Sequence, residues 1–261
     1  MTTSHFQIFI GYDEREQAAY DVCKFSIEEA LPFYFTPTPI NKLYSKDIPE
    51  YNRLHNEPQS TDFTYTRFWV PFLSNYQGIS LFCDCDFLFL EHPEELVANY
   101  FDPKYAVQVV KHPSYIPRTQ VKMDGKTQHR SYRKNWCSLM LFNNEHPKNK
   151  LFGPDLLNAH APGLDFHHLS FYNEDEIGSL PLEWNCLDDY YLLENPKAIH
   201  YTDGGPWFQG YENTTYSNLW SEKFLKMKND MAGKKKTLRP SEITPNYTRP
   251  ENNYPATKKG G

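Results

Sequence analysis

Between Gly78 and Leu96 the chain reads GISLFCDCDFLFLEHPEEL, with Ile79, Leu81, Phe82, Cys83, Phe87, Leu88 and Phe89 forming apolar runs around two carboxylates, Asp84 and Asp86. Short, nearly continuous apolar runs of this kind read as strands buried on both faces. FQIFIGYD, Phe6 to Asp13, is another such run, ending in Gly and an acid. YAVQVV from Tyr105 and CSLMLF from Cys137 are two further candidate strands. After the first run, EREQAAYDVCKFSIEEAL places Ala19, Val22, Cys23, Ser26, Ile27 and Ala30 on one helical face, with acids early where the helix dipole favours them. Pro32 stops that helix, and FYFTPTPI is a second extended segment, so strand, helix and strand predict a right-handed crossover. Thr61 to Leu73, TDFTYTRFWVPFL, reads as a helix capped by Thr or Asp. IGSLPLEWN, KAIHYTDGGPW and a short helix SNLWSEKFLKMK complete the ordered part, and no internal repeat is visible.

This order places the chain in the α/β class, where ligands sit at the carboxyl ends of the strands. Asp13, Asp84, Asp86 and His200 all end predicted strands and should converge on one edge. From Gly233 onward the chain is basic, Pro-rich and poor in core-forming residues, so residues 1–232 are expected to form one domain and 233–261 a disordered tail.

Composition narrows the function. With 16% aromatic residues, among them 19 Tyr and 18 Phe, the 261-residue chain can bury a sizeable core. Its net charge of -6 gives no general attraction to nucleic acid. No run reaches the roughly 18 apolar residues of a membrane span, which leaves only peripheral membrane contact open. The N-terminus lacks the regions of a signal peptide. Five irregularly spaced cysteines argue against a disulfide framework and for a reducing compartment, so a cytoplasmic enzyme is expected.

In an extended segment, Asp84 and Asp86 share a face while Cys85 turns to the core. Two anions so placed repel each other unless something positive lies between them. A divalent cation is the economical answer, and oxygen ligands suit Mg²⁺ or Mn²⁺. The alternative is a pair of acids in a solvated turn, since an isolated D-x-D is short and common. His200 reads either as a hydrogen-bonded structural residue or, before the Gly204-Gly205-Pro206 turn, as a third ligand, whose imidazole would favour Mn²⁺. The stretch from Lys111 to Lys134, containing His112, Arg118, Lys122, Lys126, Arg130 and Arg133, is either a solvated loop or a lid over a phosphate-bearing ligand.

Taken in order, IFIGYD, YTRFWVPFL, LFCDCDFLFL, WCSLMLFNN, GSLPLEWN and IHYTDGGPW resemble the retaining glycosyltransferases of family 8 over about Phe6 to Trp207. The resemblance implies a single GT-A-like, Rossmann-like domain with a mixed, mainly parallel central sheet and helices on both faces. It also implies a nucleotide-sugar donor, usually a UDP-sugar, held through Mn²⁺ on D-x-D, a glycan or lipid-linked acceptor, and hexosyl transfer. By position Asp84, Asp86 and His200 match the metal ligands, and Tyr12 and Asp13 match the base and ribose region. Arg67 matches a basic residue that organises donor and acids, and Asn143 sits where the sugar-facing segment ends. The family's H-x-x-G-x-x-K-P-W appears here as His200-Tyr-Thr-Asp-Gly204-Gly205-Pro-Trp, one residue shorter and without the Lys. Lys111, Lys122 or Lys134 would then balance the departing diphosphate. The acceptor-side acidic motif is replaced by Asp175 and Glu176 in YNEDEIGSLP, and Asp165 and Asp175 are the acids to test first as catalytic groups.

A haloacid-dehalogenase-type phosphatase also uses strand-D-x-D with Mg²⁺. There the motif opens the chain, whereas here it follows a full strand-helix-strand unit. A nucleotide-sugar-binding module without catalysis is the other alternative.

Overall fold

The computed structural model describes residues 6–30, 38–53, 61–113, 133–159 and 163–237. The strands predicted from apolar runs form, with one rearrangement. The main sheet contains β1 (Phe6–Gly11), β2 (Ile40–Leu43), β3 (Ile79–Cys83), β5 (Val107–Val110), β6 (Leu139–Asn143) and β7 (Ile177–Leu180) in the order β2-β1-β3-β6-β5-β7. Only β6 runs against its neighbours. A smaller sheet orders β4 (Phe87–Phe89), β9 (Ala198–His200) and β8 (Cys186–Leu187) as β4-β9-β8.

Helices cover both faces of the main sheet, and β3 shows how. Alternate side chains of a strand point to opposite faces. Cys83 meets Cys23 of α1 (Gln17–Ala30), while Ser80, of opposite parity, meets Ser74 just after α2 (Val70–Leu73) at 2.8 Å between hydroxyls. All five residues of β3 are buried, and Ser80 is satisfied by Ser74 and by Asn144 Nδ2, also at 2.8 Å. On α1 the predicted face is the buried one, through Ala19, Val22, Cys23, Ser26 and Ile27. Ser26 donates to the Cys23 carbonyl and accepts from Phe89 N, which ties α1 to β4. The remaining helices are α3 (Pro93–Tyr100), α4 (Pro154–Asn158), α5 (Gly163–His167) and α6 (Ser217–Thr237). None of the helices among the described residues is long and apolar enough to cross a membrane.

Three expectations shift. The second strand is Ile40–Leu43, following the Pro-rich segment, because a half-exposed edge strand tolerates Asn41 and Lys42. Thr61–Leu73 is not one helix: turns lead into a 3-10 helix, Thr66–Trp69, and then the single turn of α2. Side chains there compete for the backbone, Thr64 Oγ1 donating to the Thr61 carbonyl and Arg67 Nε to that of Phe63. At the C-terminus α6 runs on through Gly233 to Thr237, and residues 238–261 lie outside the described residues.

Register decides what meets at the sheet's edge. Cys83 is level with Ile10 and Leu139, and Val110 with Leu180. The residues that follow β1, β3, β5 and β7 therefore leave at one rim. At the opposite rim Asn143 pairs with Ile79, and Ile177 pairs with Val107.

Candidate functional site

Asp84 and Asp86 lie in the turn from β3 to β4, so the chain passes from the main sheet to the small one between them. Cys85, wholly buried, points inward with its thiol 3.7 Å from Glu16 Oε2. The small sheet brings in His200, because β4 pairs antiparallel with β9 and sets Phe87 opposite His200. Their rings stack at 4.5 Å and 14°, and Tyr201 N donates to the Asp86 carbonyl at 3.0 Å. Gly204, at φ +124°, then turns the chain away, and at Gly205 a Cβ would come within 2.1 Å of the Trp207 ring.

One ligand atom each from Asp84, Asp86 and His200 fall within 4.8 Å of one another. Asn185 Nδ2 donates to Ser138 Oγ at 2.9 Å, so its Oδ1 is the acceptor facing His200 Nδ1 at 3.0 Å. Nδ1 must then carry the proton, and in the neutral ring Nε2 presents a lone pair to Asp86 Oδ1 at 3.4 Å. That oxygen is buried and accepts no hydrogen bond among the described residues. Two lone pairs face to face call for a positive charge between them. A proton would satisfy this pair alone, whereas a divalent cation also satisfies Asp84. Neighbouring ligand atoms around a six-coordinate Mg²⁺-sized ion stand about 3 Å apart, so the donor set fits such an ion.

Arg67 completes the first layer. It is buried, pairs with Asp84 Oδ1 at 3.0 Å, and donates to the Cys137 carbonyl at 2.7 Å. Its guanidinium lies over the Phe63 and Phe82 rings at 5.4 and 5.1 Å. Beneath the acids, Glu16 is buried, and burial followed by the charges of Asp86 and Asp13 pushes its carboxyl up to about 8. The shift favours its neutral form, with the proton kept beside the acids.

Asp13 sits at the same rim, after β1. Burial raises its carboxyl, but hydrogen bonds from the Arg15 side chain and backbone outweigh this and hold it below its ordinary range. Asp62 N adds a further bond at 3.1 Å. Tyr12 is packed edge-on between Tyr20 and Tyr44, with Lys42 over its ring at 4.6 Å. Lys111, just beyond β5, donates to the Ile177 carbonyl and lies 5.6 Å over the Trp136 ring. Lys134 is half-buried beside Asn135, whose Nδ2 reaches Thr202 Oγ1 at 3.0 Å, and Lys122 lies outside the described residues. Gly204 lines a small cavity of about 100 Å³ with Asp188, Asp203 and Tyr211.

Other residues do not gather here. Asn143 pairs with Ile79 at the far end of β3 and donates to the Pro103 carbonyl. Asp175 precedes β7 at that same far rim and is exposed. Asp165 is an exposed residue of α5 outside the Asp84–Asp86–His200 group. Two residues at the site carried no strong sequence signal, Asn185 and Glu16. Asn185 follows β7, so the rule that places ligands at strand carboxyl ends reaches it once the register is known.

Asn185 yields a quantitative expectation. Residues that orient a metal-bound imidazole typically change metal affinity 10–100-fold when removed. Asn185→Ala should therefore weaken Mn²⁺ binding by about that factor while the protein stays folded, which titration calorimetry and circular dichroism would check together.

Over 223 residues the chain is 41% identical to Protein CDI of Arabidopsis thaliana, covering 82% of this chain and 84% of that one. No family model matches. The fold is also that of solved glycosyltransferases. The bifunctional glycosyltransferase WbbM superposes with a TM-score of 0.61 over 90% of this chain at 18% identity, and the chain spans only 52% of WbbM. The galactosyltransferase LgtC, solved with donor and acceptor sugar analogues, superposes at 0.53 over 84% of this chain and 95% of its own, at 13% identity. The architecture is thus GT-A-like.

Proposed function

The chain belongs to the same family as Protein CDI of Arabidopsis thaliana, and from that premise and the geometry of the rim we propose that it transfers a sugar from a nucleotide-sugar donor. The observation that carries this reading is the meeting of Asp84, Asp86 and His200 at the carboxyl rim of a GT-A-like sheet. We take the donor to be a UDP-sugar, the acceptor a glycan or lipid-linked group, and transfer to be of hexosyl type with retention, as the family 8 resemblance implies.

Asp84, Asp86 and His200 would hold a divalent cation, Mn²⁺ in preference to Mg²⁺ because one ligand is an imidazole. When bound, such an ion supplies charge neutralisation for a leaving diphosphate. Arg67 fixes the Asp84 carboxylate from behind, and Asn185 holds His200 in the tautomer that leaves Nε2 to face the acids. Asp13 and Tyr12, on the β1 side, are suited to the nucleoside. Arg67 is the buried cation at the acids, and Lys111 and Lys134 are the further cations we assign to charge that develops on the diphosphate. These fixed groups would act as a transition state with oxocarbenium character forms at the sugar. Asp175 precedes β7 at the opposite rim and takes no part in this scheme, and Asp165 is left as the acid to test for a catalytic role.

The test is incubation with Mn²⁺ and a panel of UDP- and GDP-sugars, reading released nucleoside diphosphate. Slow hydrolysis of one donor, lost on chelation with EDTA, is expected. Phosphate release from a generic aryl phosphate would point to a phosphatase, and donor binding without turnover to a binding module.

A further inference from the structure

His112 leaves β5 at the same rim as the acids, and it is 6% exposed. Neither ring nitrogen has a hydrogen-bond partner among the described residues. Its ring lies parallel to that of Tyr191, at 5° and 6.0 Å, and the Tyr191 hydroxyl is likewise buried without a hydrogen bond. Three polar atoms on two stacked rings are thus unsatisfied together. Native proteins rarely leave such atoms empty unless a ligand or water fills the place.

We propose that His112 and Tyr191 form a hydroxyl-binding subsite for the sugar of the donor, an inference that rests on the transferase reading. A neutral imidazole offers one donor and one acceptor, and a phenol adds another of either kind, which matches the hydroxyls of a pyranose. Burial pushes the His112 imidazole down to about 3, so it carries no charge and suits hydroxyls better than phosphate.

Position agrees with this chemistry. The sheet order places β1 on one side of β3 and β6 then β5 on the other. With strands about 4.8 Å apart, the chain at His112 is about 10 Å from that at Asp84. A diphosphate at the acids with its nucleoside toward Tyr12 and Asp13 would extend its sugar across that interval. The Asp86 oxygen is similarly buried and unbonded, so both halves of the site have the same need for a ligand.

The experiment compares two affinities on the full chain by titration calorimetry with Mn²⁺. UDP and GDP are titrated first, then UDP-glucose, UDP-galactose and GDP-mannose. His112→Phe keeps the stack on Tyr191 and removes both nitrogens. It should leave nucleoside diphosphate affinity unchanged while lowering affinity for the preferred nucleotide-sugar roughly 10-fold or more, the usual consequence of unpairing a buried polar contact. Equal loss for both ligands would mean a structural role and would overturn the proposal. So would unchanged affinity for both, which would leave His112 contacting only a buried water. If His112→Phe does not fold, Tyr191→Phe decides by the same comparison, with a several-fold loss confined to the nucleotide-sugar expected. A wild-type protein that binds no nucleotide-sugar overturns the transferase reading and this subsite with it, an outcome distinct from the variant-specific ones.

Discussion

Asp86→Ala should lower Mn²⁺ affinity by well over 100-fold and abolish Mn²⁺-dependent donor binding, because losing a ligand does more than losing a residue that merely orients one. The same change should not harm the fold. The charge of Asp86 helps to raise the Glu16 carboxyl. No hydrogen bond to its Oδ1 is lost. Its backbone carbonyl still accepts from Tyr201 N, so β4 and β9 remain joined. With one anion fewer at a crowded rim, the metal-free variant should melt at the wild-type temperature or above. Stabilisation with loss of function is the signature of a site strained for binding. Calorimetry with Mn²⁺, alone and with UDP, reads the first effect, and thermal melting in EDTA reads the second. Unchanged Mn²⁺ affinity would falsify the metal assignment. A marked fall in melting temperature would instead make Asp86 a structural acid.

The acids and His200 were legible in the sequence because apolar runs break off in polar residues at strand ends, although Asp84 and Asp86 meet through the turn from β3 to β4 and not through the period of an extended strand. The GT-A-like order could be read from successive motifs, although each alone is weak. What escaped is what depends on pairing between distant segments. Asn185 and His112 gain meaning only when β7 and β5 are set level with β3. Asn143 and Asp175 sit beside strands like the others, but at the wrong ends: β6 runs antiparallel, so its carboxyl end lies at the far rim. Asp175 precedes its strand. The segment Thr61–Leu73 has the apolar content of a helix but spends its backbone acceptors on Thr64 and Arg67 side chains, which aims Arg67 at Asp84.

Arg67→Met is the change expected to damage stability most. The side chains of Arg67 and Asp84 are only 7% and 15% exposed, so solvent screens the pair little. Removing one partner of a buried pair typically costs about 3–5 kcal/mol, since the other charge stays behind in a poorly solvated place. Arg67 also satisfies the Phe63 and Cys137 carbonyls and rests on two aromatic rings, contacts that methionine replaces only in volume. Urea unfolding without metal should therefore show a loss of about 3–5 kcal/mol. Arg67→Lys should recover part of it, keeping the charge but not the planar fork that reaches a carboxylate and two carbonyls at once. Adding Asp84→Asn to Arg67→Met should also recover stability, because the stranded charge is gone, and the cycle of single and double variants isolates the pair. Strictly additive effects would mean that Arg67 acts through its carbonyl and ring contacts alone. Saturating Mn²⁺ should restore much of the stability of Arg67→Met, because a bound dication replaces the guanidinium as the charge facing Asp84. If the metal stabilises that variant no more than it stabilises the wild type, Asp84 does not share its charge between the arginine and the ion.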